Sequence, residues 1–349
     1  MAFTFRFVLL VMNSLKILLK PIEIGLFVIG VALSIGLPAT LGADGFAVEK
    51  TASGVTVTYN GELVTNYIID QANKPFLYPL IGPKGKEMTR AYPMKTVEGE
   101  HHDHPHHRSI WFGHQNVGGF DTWHEPRTGV EKKLTGDKKK AFDEGLGATV
   151  HREFKRLMAN ENRAVIETRN DYIGGTGKKL MADKRVLTFR MMRGQLVIDF
   201  DITFTAAYGD IDIGDIKDAG FSVRIPSSMA LTSEMGGKIV NSEGDKDGDT
   251  WSKRAAWVDY NGPVDGEHLG IAILNHPSSF RYPTPWHVRT YGLFTANPFG
   301  FKSLDKSKED SSFTLVAGTQ FQLRHRVIFH EGDEKAAKIA EAFEAYSKQ

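Results

Sequence analysis

Period-two alternation is what most limits the fold of this chain. Leu196, Ile198, Phe200, Ile202 and Phe204 alternate with Val197, Asp199, Asp201 and Thr203, the pattern of a half-buried strand, because successive strand side chains leave opposite faces. Phe321, Leu323, His325, Val327 and Phe329 repeat it, so His325 reads as a buried structural histidine. Val55–Tyr59 and Leu63–Ile69 flank Asn60-Gly61, a pair that readily supplies the two positive φ angles of a type I′ hairpin turn. Gly and Pro punctuate the sequence, and no long helical period occurs before its end. There Glu334–Lys348 carries Ile339, Phe343 and Tyr346 at helical spacing and is expected to dock as one amphipathic helix. No internal repeat is present. The chain reads as all-β: a body of antiparallel sheet over residues 44–332, followed by a C-terminal helix over 333–349.

Residues 1–43 read as a targeting segment. Arg6, Lys16 and Lys20 precede an uncharged run from Ile24 to Ala43 with its apolar heart at Ile24–Leu37. Pro38, Ala39, Gly42 and Ala43 then suit a cleavage region. Initiation at Met12 would leave a leader of more ordinary length. The alternative is an uncleaved anchor, since about 20 residues span a bilayer and Leu41 stands where cleavage favours a small residue. Both readings export the body to the periplasm or beyond, and only the second ties it to a membrane. The 43 Lys and Arg nearly balance the 42 Asp and Glu, so no global field draws the chain to nucleic acid. Lys138–Lys140 and Glu243–Asp249 read as charged surface loops. With no cysteine, disulfides, thiolate metal sites and cysteine nucleophiles are excluded. None of this sets an oligomeric state.

Histidines are concentrated instead. Six of the 13 fall in the fifteen residues Glu100–His114, and His124 comes ten residues later. Histidine is a mediocre strand former and core residue, so packing does not call for this density, and clustered titratable groups mark sites. If the segment is extended, His102, His104 and His106 point one way and His101, Asp103 and His107 the other. Pro105 biases His104 towards extended geometry. His104, His106 and His107 are therefore candidate acids and bases, with Arg108 and His114 beside them as candidate substrate contacts.

Three further stretches bear polar chemistry. In Gly118–Glu125, an extended backbone would put Asp121, Trp123 and Glu125 on one face, carboxylates beside an aromatic platform, though a solvated loop end fits as well. In Gly214–Gly220, Lys217 and Asp218 sit between glycines, where an exposed turn is the plain alternative to a substrate contact. In Asn275–Tyr291, His276 ends an expected strand, and Pro283 and Pro285 stiffen the next segment. Alternation from Trp286 then places His287, Arg289 and Tyr291 on one face, about 7 Å apart at successive positions, with Trp286 and Val288 opposite. A cation, an imidazole and a phenol on one face can hold a carboxylate or sugar hydroxyls and move protons. His287 is a candidate catalytic group. Trp123, Glu125, Lys217, His276, Trp286, Arg289, Tyr291 and Asn297 are candidate substrate contacts. The histidine cluster and Trp286–Tyr291 are each incomplete alone, and are expected to meet across one pocket.

The motifs Asp103–Arg108, Gly118–Glu125, Gly214–Gly220, Trp257–Tyr260, His276, Pro283–Arg289, Tyr291–Phe294 and Asn297–Gly300 together resemble one bacterial family, labelled "methane oxygenase PmoA". The resemblance covers nearly everything after residue 50. Ser109 stands where that family usually has Gly, and Thr122 where it often has Phe. The label names a membrane subunit built as a bundle of spanning helices, which a chain with at most one span does not form. What the resemblance implies is a two-layer antiparallel β-sandwich of the galactose-mutarotase-like supersandwich kind, exported and encoded among carbohydrate-degradation genes.

Two functions are expected on this basis. One is a carbohydrate-active enzyme, an epimerase, lyase or hydrolase, using histidine acid/base chemistry on a small or oligomeric sugar without a cofactor. The other is a non-catalytic sugar-binding or metal-binding protein, in which His104 and His106 with a further His or carboxylate hold Zn, Cu or Fe(II), a metal-dependent oxygenase included.

Overall fold

A computed structural model describes residues 44–349, so the expectations for the leader, anchor and start site lie outside the described residues. Two antiparallel sheets of eight strands dominate. The first runs, in spatial order, Phe46–Thr51, Gly54–Tyr59, Glu62–Ile68, Phe76–Leu80, Ile110–His114, Ala219–Arg224, Leu293–Ala296 and Trp286–Val288. The second runs Lys238–Asn241, Trp257–Val264, Glu267–Asn275, Gln320–Glu331, Gln195–Thr205, Lys179–Met192, Ala164–Gly174 and Gly147–Ala159. Asn60 (φ 52°) and Gly61 (φ 83°) form the expected hairpin turn. Among the described residues, no helix is long and apolar enough to cross a membrane.

The sheets stack face to face, and the alternation read from the sequence is what fills the space between them. Leu196, Ile198, Phe200, Ile202 and Phe204 all enter the main core. Phe200 meets Phe221, and Phe204 meets Phe112, at ring distances of 5.0 and 4.8 Å from the opposite sheet. His325 is fully buried against Phe221, and burial pushes its pKa down to about 3.

The helices differ from expectation. The C-terminal helix is confined to Ile339–Tyr346, because Lys338 takes a left-handed conformation (φ 56°) just ahead of it. Helices also form at Pro126–Glu131 and Gly136–Gly145, so Lys138–Lys140 is helical rather than loop. Gly136–Gly145 has no buried residue, hence no apolar stripe for periodicity to reveal. The legible signal was at the ends: Pro126 occupies the first turn, and Glu125 with Thr128 forms a reciprocal cap.

Candidate active site

One row of side chains on the outer face of the first sheet underlies the site. Strand register places His287 opposite Thr295, Thr295 opposite Ser222, and Ser222 opposite Trp111. The edge histidine is thus about 14 Å across the sheet from Trp111, with two small residues between. Trp286 and Val288 point into the core, leaving His287 on the outer face, as the alternation required.

The histidine segment crosses above this row as a turn, which corrects the extended reading. His107 N–H donates to the His104 carbonyl (3.0 Å) with Pro105 second in the turn, a place its fixed φ suits. His104 has φ 47°, against the extended bias expected from Pro105. Its backbone explains why: the N–H donates to Glu131 (2.7 Å), and the carbonyl also accepts from Arg90 (3.1 Å). Ser109 has φ 55°, the conformation for which glycine is best suited, and its hydroxyl is anchored on Thr89 (2.7 Å). Alternation therefore fails here, and His104, His106 and His107 converge instead of dividing between two faces.

Asp103 is the clamp of this turn. It accepts from Arg90, from Arg224 Nη2 (2.8 Å) and from His104 Nδ1 (2.7 Å). Burial alone would raise its pKa, but His104, Arg224 and Arg90 hold the carboxyl well below its ordinary value. Four rings then stack from one sequence segment to the other. Tyr291 lies 5.2 Å from His104, His104 4.8 Å from His107, and His107 5.3 Å from Trp111. His106 stands edge-on to both His107 and His124, 4.5 Å from each.

These groups line a cavity of about 480 Å³ that takes in His104, His106, His107 and Trp123 from one side and Lys217, His287, Arg289 and Tyr291 from the other. Segments roughly 180 residues apart thus share one pocket. His124, Asp218, Glu131 and Lys132 also line it and were not among the expected contacts. The pairing of Asp121 with His124 at i, i+3 was the available signal: His124 Nδ1–H donates to Asp121 Oδ2 (2.7 Å), and the Trp123 and His124 N–H groups both donate to Asp121 Oδ1. That turn also breaks the expected common face of Asp121, Trp123 and Glu125.

Six expected contacts lie elsewhere. Arg108 and Glu125 bind each other bidentately (2.9 and 2.6 Å), buried beneath the site, and Glu125 also accepts from the buried Lys74. Burial would raise the Glu125 pKa, but Lys74 and Arg108 bring it below its ordinary value. This triad fixes Trp123, whose carbonyl also accepts from Lys74 (2.7 Å). His114 falls on the core side of its strand, against Phe299, and burial lowers its pKa to about 3. His276 packs on Tyr346 and Arg324 at the second sheet. Trp286 is core, its indole N–H donating to Ala255 (3.0 Å). Asn297 acts from behind: its amide donates to the Ile216 and Lys217 carbonyls, holding the loop that carries Lys217 and Asp218. Sequence alone missed Lys74, Arg90 and Arg224, because lone basic residues in strands and loops carry no motif.

The imidazoles differ in proton placement. His287 Nδ1 is 2.7 Å from the Lys217 carbonyl, which only accepts, so Nδ1 carries the hydrogen and Nε2 holds the lone pair. His107 Nδ1 is 3.3 Å from Arg224 Nη1, which only donates, so here Nε2 carries the hydrogen. Burial lowers the pKa of His287 to about 4, against the opposing pull of Asp218. Burial, then the positive neighbours of each, pushes His106 and His107 well below the ordinary value. These three rings are neutral at pH 7. His104 and His106, the expected metal pair, have rings 5.7 Å apart. Among the described residues, no three His, Asp or Glu side chains converge to hold a metal ion.

Residues 54–344 match the family of unknown function DUF6807. No curated protein matches the chain. Among solved structures, it is similar to a galactose mutarotase related enzyme of Lactobacillus acidophilus, with 9% identity and a TM-score of 0.29 over 82% of this chain and 97% of that one. It is also similar to a GH36 α-galactosidase of Geobacillus stearothermophilus in complex with raffinose (14% identity, TM-score 0.31, 54% of this chain and 28% of that one). A glycoside hydrolase family 97 enzyme of Pseudoalteromonas sp. strain K8 is a third (8%, 0.30, 82% and 35%). The chain thus spans about a third or less of the two hydrolases.

Proposed function

This chain belongs to the DUF6807 family, and for it we propose that the histidine cavity is the active site of an exported carbohydrate-active enzyme that moves protons with neutral imidazoles. The observation that carries the reading is the opposite tautomers of His287 and His107 in one cavity. His287 presents a basic Nε2 and His107 an N–H, a base and a donor ready without a change of protonation. Histidine is suited to both roles, and a positioned pair accelerates proton transfer about 10²- to 10⁴-fold per group. Tyr291 and Trp123 supply aromatic surface for a sugar ring, and Lys217 and Arg289 supply donors for its oxygens. Epimerisation, lyase chemistry and hydrolysis all begin or end with such transfers. Removal of a proton from carbon would make the first two detectable by exchange.

The test is sugar-dependent incorporation of deuterium, or turnover, across a saccharide panel. His287→Gln should lower kcat/KM at least about 100-fold while the unfolding midpoint stays within experimental error. Full activity in that variant would remove the base and end this mechanism. Saccharide binding without turnover or exchange in the unaltered protein would leave a binding protein in its place.

A further inference from the structure

The cations around the histidine cavity point to the kind of sugar. Among the described residues, Lys132, Lys217 and Arg289 line it without a carboxylate oxygen within 4.0 Å of their nitrogens. A second cavity, of about 290 Å³, is lined by Lys253, Arg254, Lys308, Phe301, Pro285 and Asp305. Asp305 sits 3.9 Å from Lys308, and Lys253 and Arg254 have no such partner among the described residues. Arg254 is held by the Pro283 carbonyl (2.6 Å) and lies 4.2 Å over the Phe301 ring. The two linings hold six Lys and Arg (Lys132, Lys217, Arg289, Lys253, Arg254, Lys308) against three carboxylates (Glu131, Asp218, Asp305), an excess of positive charge in a chain whose charges otherwise nearly cancel.

The two cavities adjoin. Ser252–Arg254 runs beside the Trp286–Val288 edge strand. Ser252 N–H donates to the Trp286 carbonyl (2.8 Å), Trp286 N–H to the Lys253 carbonyl (3.0 Å), and Arg254 bridges Pro285. Pro285, which lines the second cavity, and His287, which lines the first, are two residues apart and so about 7 Å apart on one face. Arg289 lies 5.6 Å over Trp251, immediately before Ser252. Lys217 and Arg289 from the first cavity and Lys253 and Arg254 from the second thus flank one edge strand as a band of positive charge.

We propose that the ligand is an anionic oligosaccharide, bearing carboxylate or sulfate groups, laid across this edge. One sugar occupies the histidine cavity, and a charged neighbour meets Lys253 and Arg254. This rests on the histidine cavity being the sugar site. A saccharide suits the band because it is extended and carries charge at intervals, and both cavities offer it aromatic side chains, Trp123 and Tyr291 in the first and Phe301 in the second.

The test is calorimetric binding to the full chain of a galacturonic acid hexasaccharide, a sulfated carrageenan hexasaccharide, neutral maltohexaose and inorganic polyphosphate. The double variant K253A/R254A, at exposed positions, is measured alongside. One anionic hexasaccharide is expected to bind, more weakly in high salt and about 10-fold more weakly to the double variant. Its monosaccharide should bind both proteins equally. Which of the two acidic sugars binds identifies the charged group. Equal binding of maltohexaose with no effect of the double variant overturns the inference and leaves the sugar site standing. Polyphosphate binding as tight as that of either sugar reduces the band to a non-specific anion patch and overturns it. Failure of every saccharide to bind overturns both readings.

Discussion

Each sheet turns one face to the core and must cover the other, and the two are covered in opposite ways. Over the second sheet, Val197, Ala272, Leu274 and Ile328 pack beneath Ala337, Ile339 and Tyr346 of the C-terminal segment. The cover is apolar and flanked by two ion pairs, Arg326 with Asp199 and the fully buried His330 with Asp259, each at 2.6 Å. Over the first sheet the corresponding positions are Trp111, Ser222, Arg224, Thr295 and His287, roofed by the histidine turn. There the buried charges are tied to partners, and the ties converge on two carboxylates, Arg90 and Arg224 on Asp103 and Arg108 and Lys74 on Glu125. An apolar cover needs only shape and area, roughly 1.5–3 kcal/mol for each large side chain. A polar cover is stable only while its network is complete, and what it provides instead is oriented chemistry.

Breaking the polar cover should show the largest effect. Asp103→Ala would leave Arg90 and Arg224, both with buried side chains, without their shared anion. Losing one partner of a buried pair costs on the order of 4 kcal/mol, so denaturant unfolding should shift by about that amount and the histidine turn should lose its shape. A loss below about 1 kcal/mol would mean that the clamp behaves as a surface ion pair, and the contrast between the covers would fail.

The apolar cover should fail differently. Ile339→Ala removes a fully buried side chain and should cost about 3 kcal/mol while leaving activity per folded molecule unchanged. Reduced kcat/KM at full folding would show that the helix supports the site across the sandwich.

Acid should separate the two faces more gently. Burial holds His287 at about 4, below its ordinary 6.5. Above pH 6.5 the ring is neutral in both folded and unfolded chains, so its contribution to stability is intact. As pH falls from 6.5 towards 4, the unfolded chain takes up a proton that the folded chain refuses. Stability then drops by about 1.4 kcal/mol per pH unit from this residue. The slope of unfolding free energy against pH should be shallower by that amount in His287→Gln. An unchanged slope would show that His287 titrates normally in the folded protein.

Local patterns were legible wherever one physical rule acted alone. Alternation at Leu196–Phe204 and Phe321–Phe329 reported core strands, because each residue's face is set by its parity. Asn60-Gly61 reported its hairpin for an equally local reason. The same parity sorted His287 from Trp286 and Val288. The strand ends at Val288, and Arg289 and Tyr291 reach the cavity from a turn closed by the Arg289 N–H on the Leu293 carbonyl (2.7 Å) rather than by alternation. It failed at His101–His107, where side-chain anchors from Arg90, Arg224 and Glu131 override the backbone's own preference. Membership of the histidine cluster misassigned His114 as a contact, where its parity with Ile110 and Phe112 already faces it into the core.

Composition and periodicity by themselves determined an antiparallel β body, a terminal helix that packs through Ile339 and Tyr346, and a segment in which histidines are concentrated. Tertiary structure alone decided which histidines share a cavity, which nitrogen of each carries the proton, and that Arg108 and Glu125 serve as foundation. The reason is range. A side chain's face depends on its immediate neighbours, whereas its partners depend on strand order, and here that order brings Trp286–Val288 within three strands of Ile110–His114. Burial and charge at His287 exist only once that pairing is made.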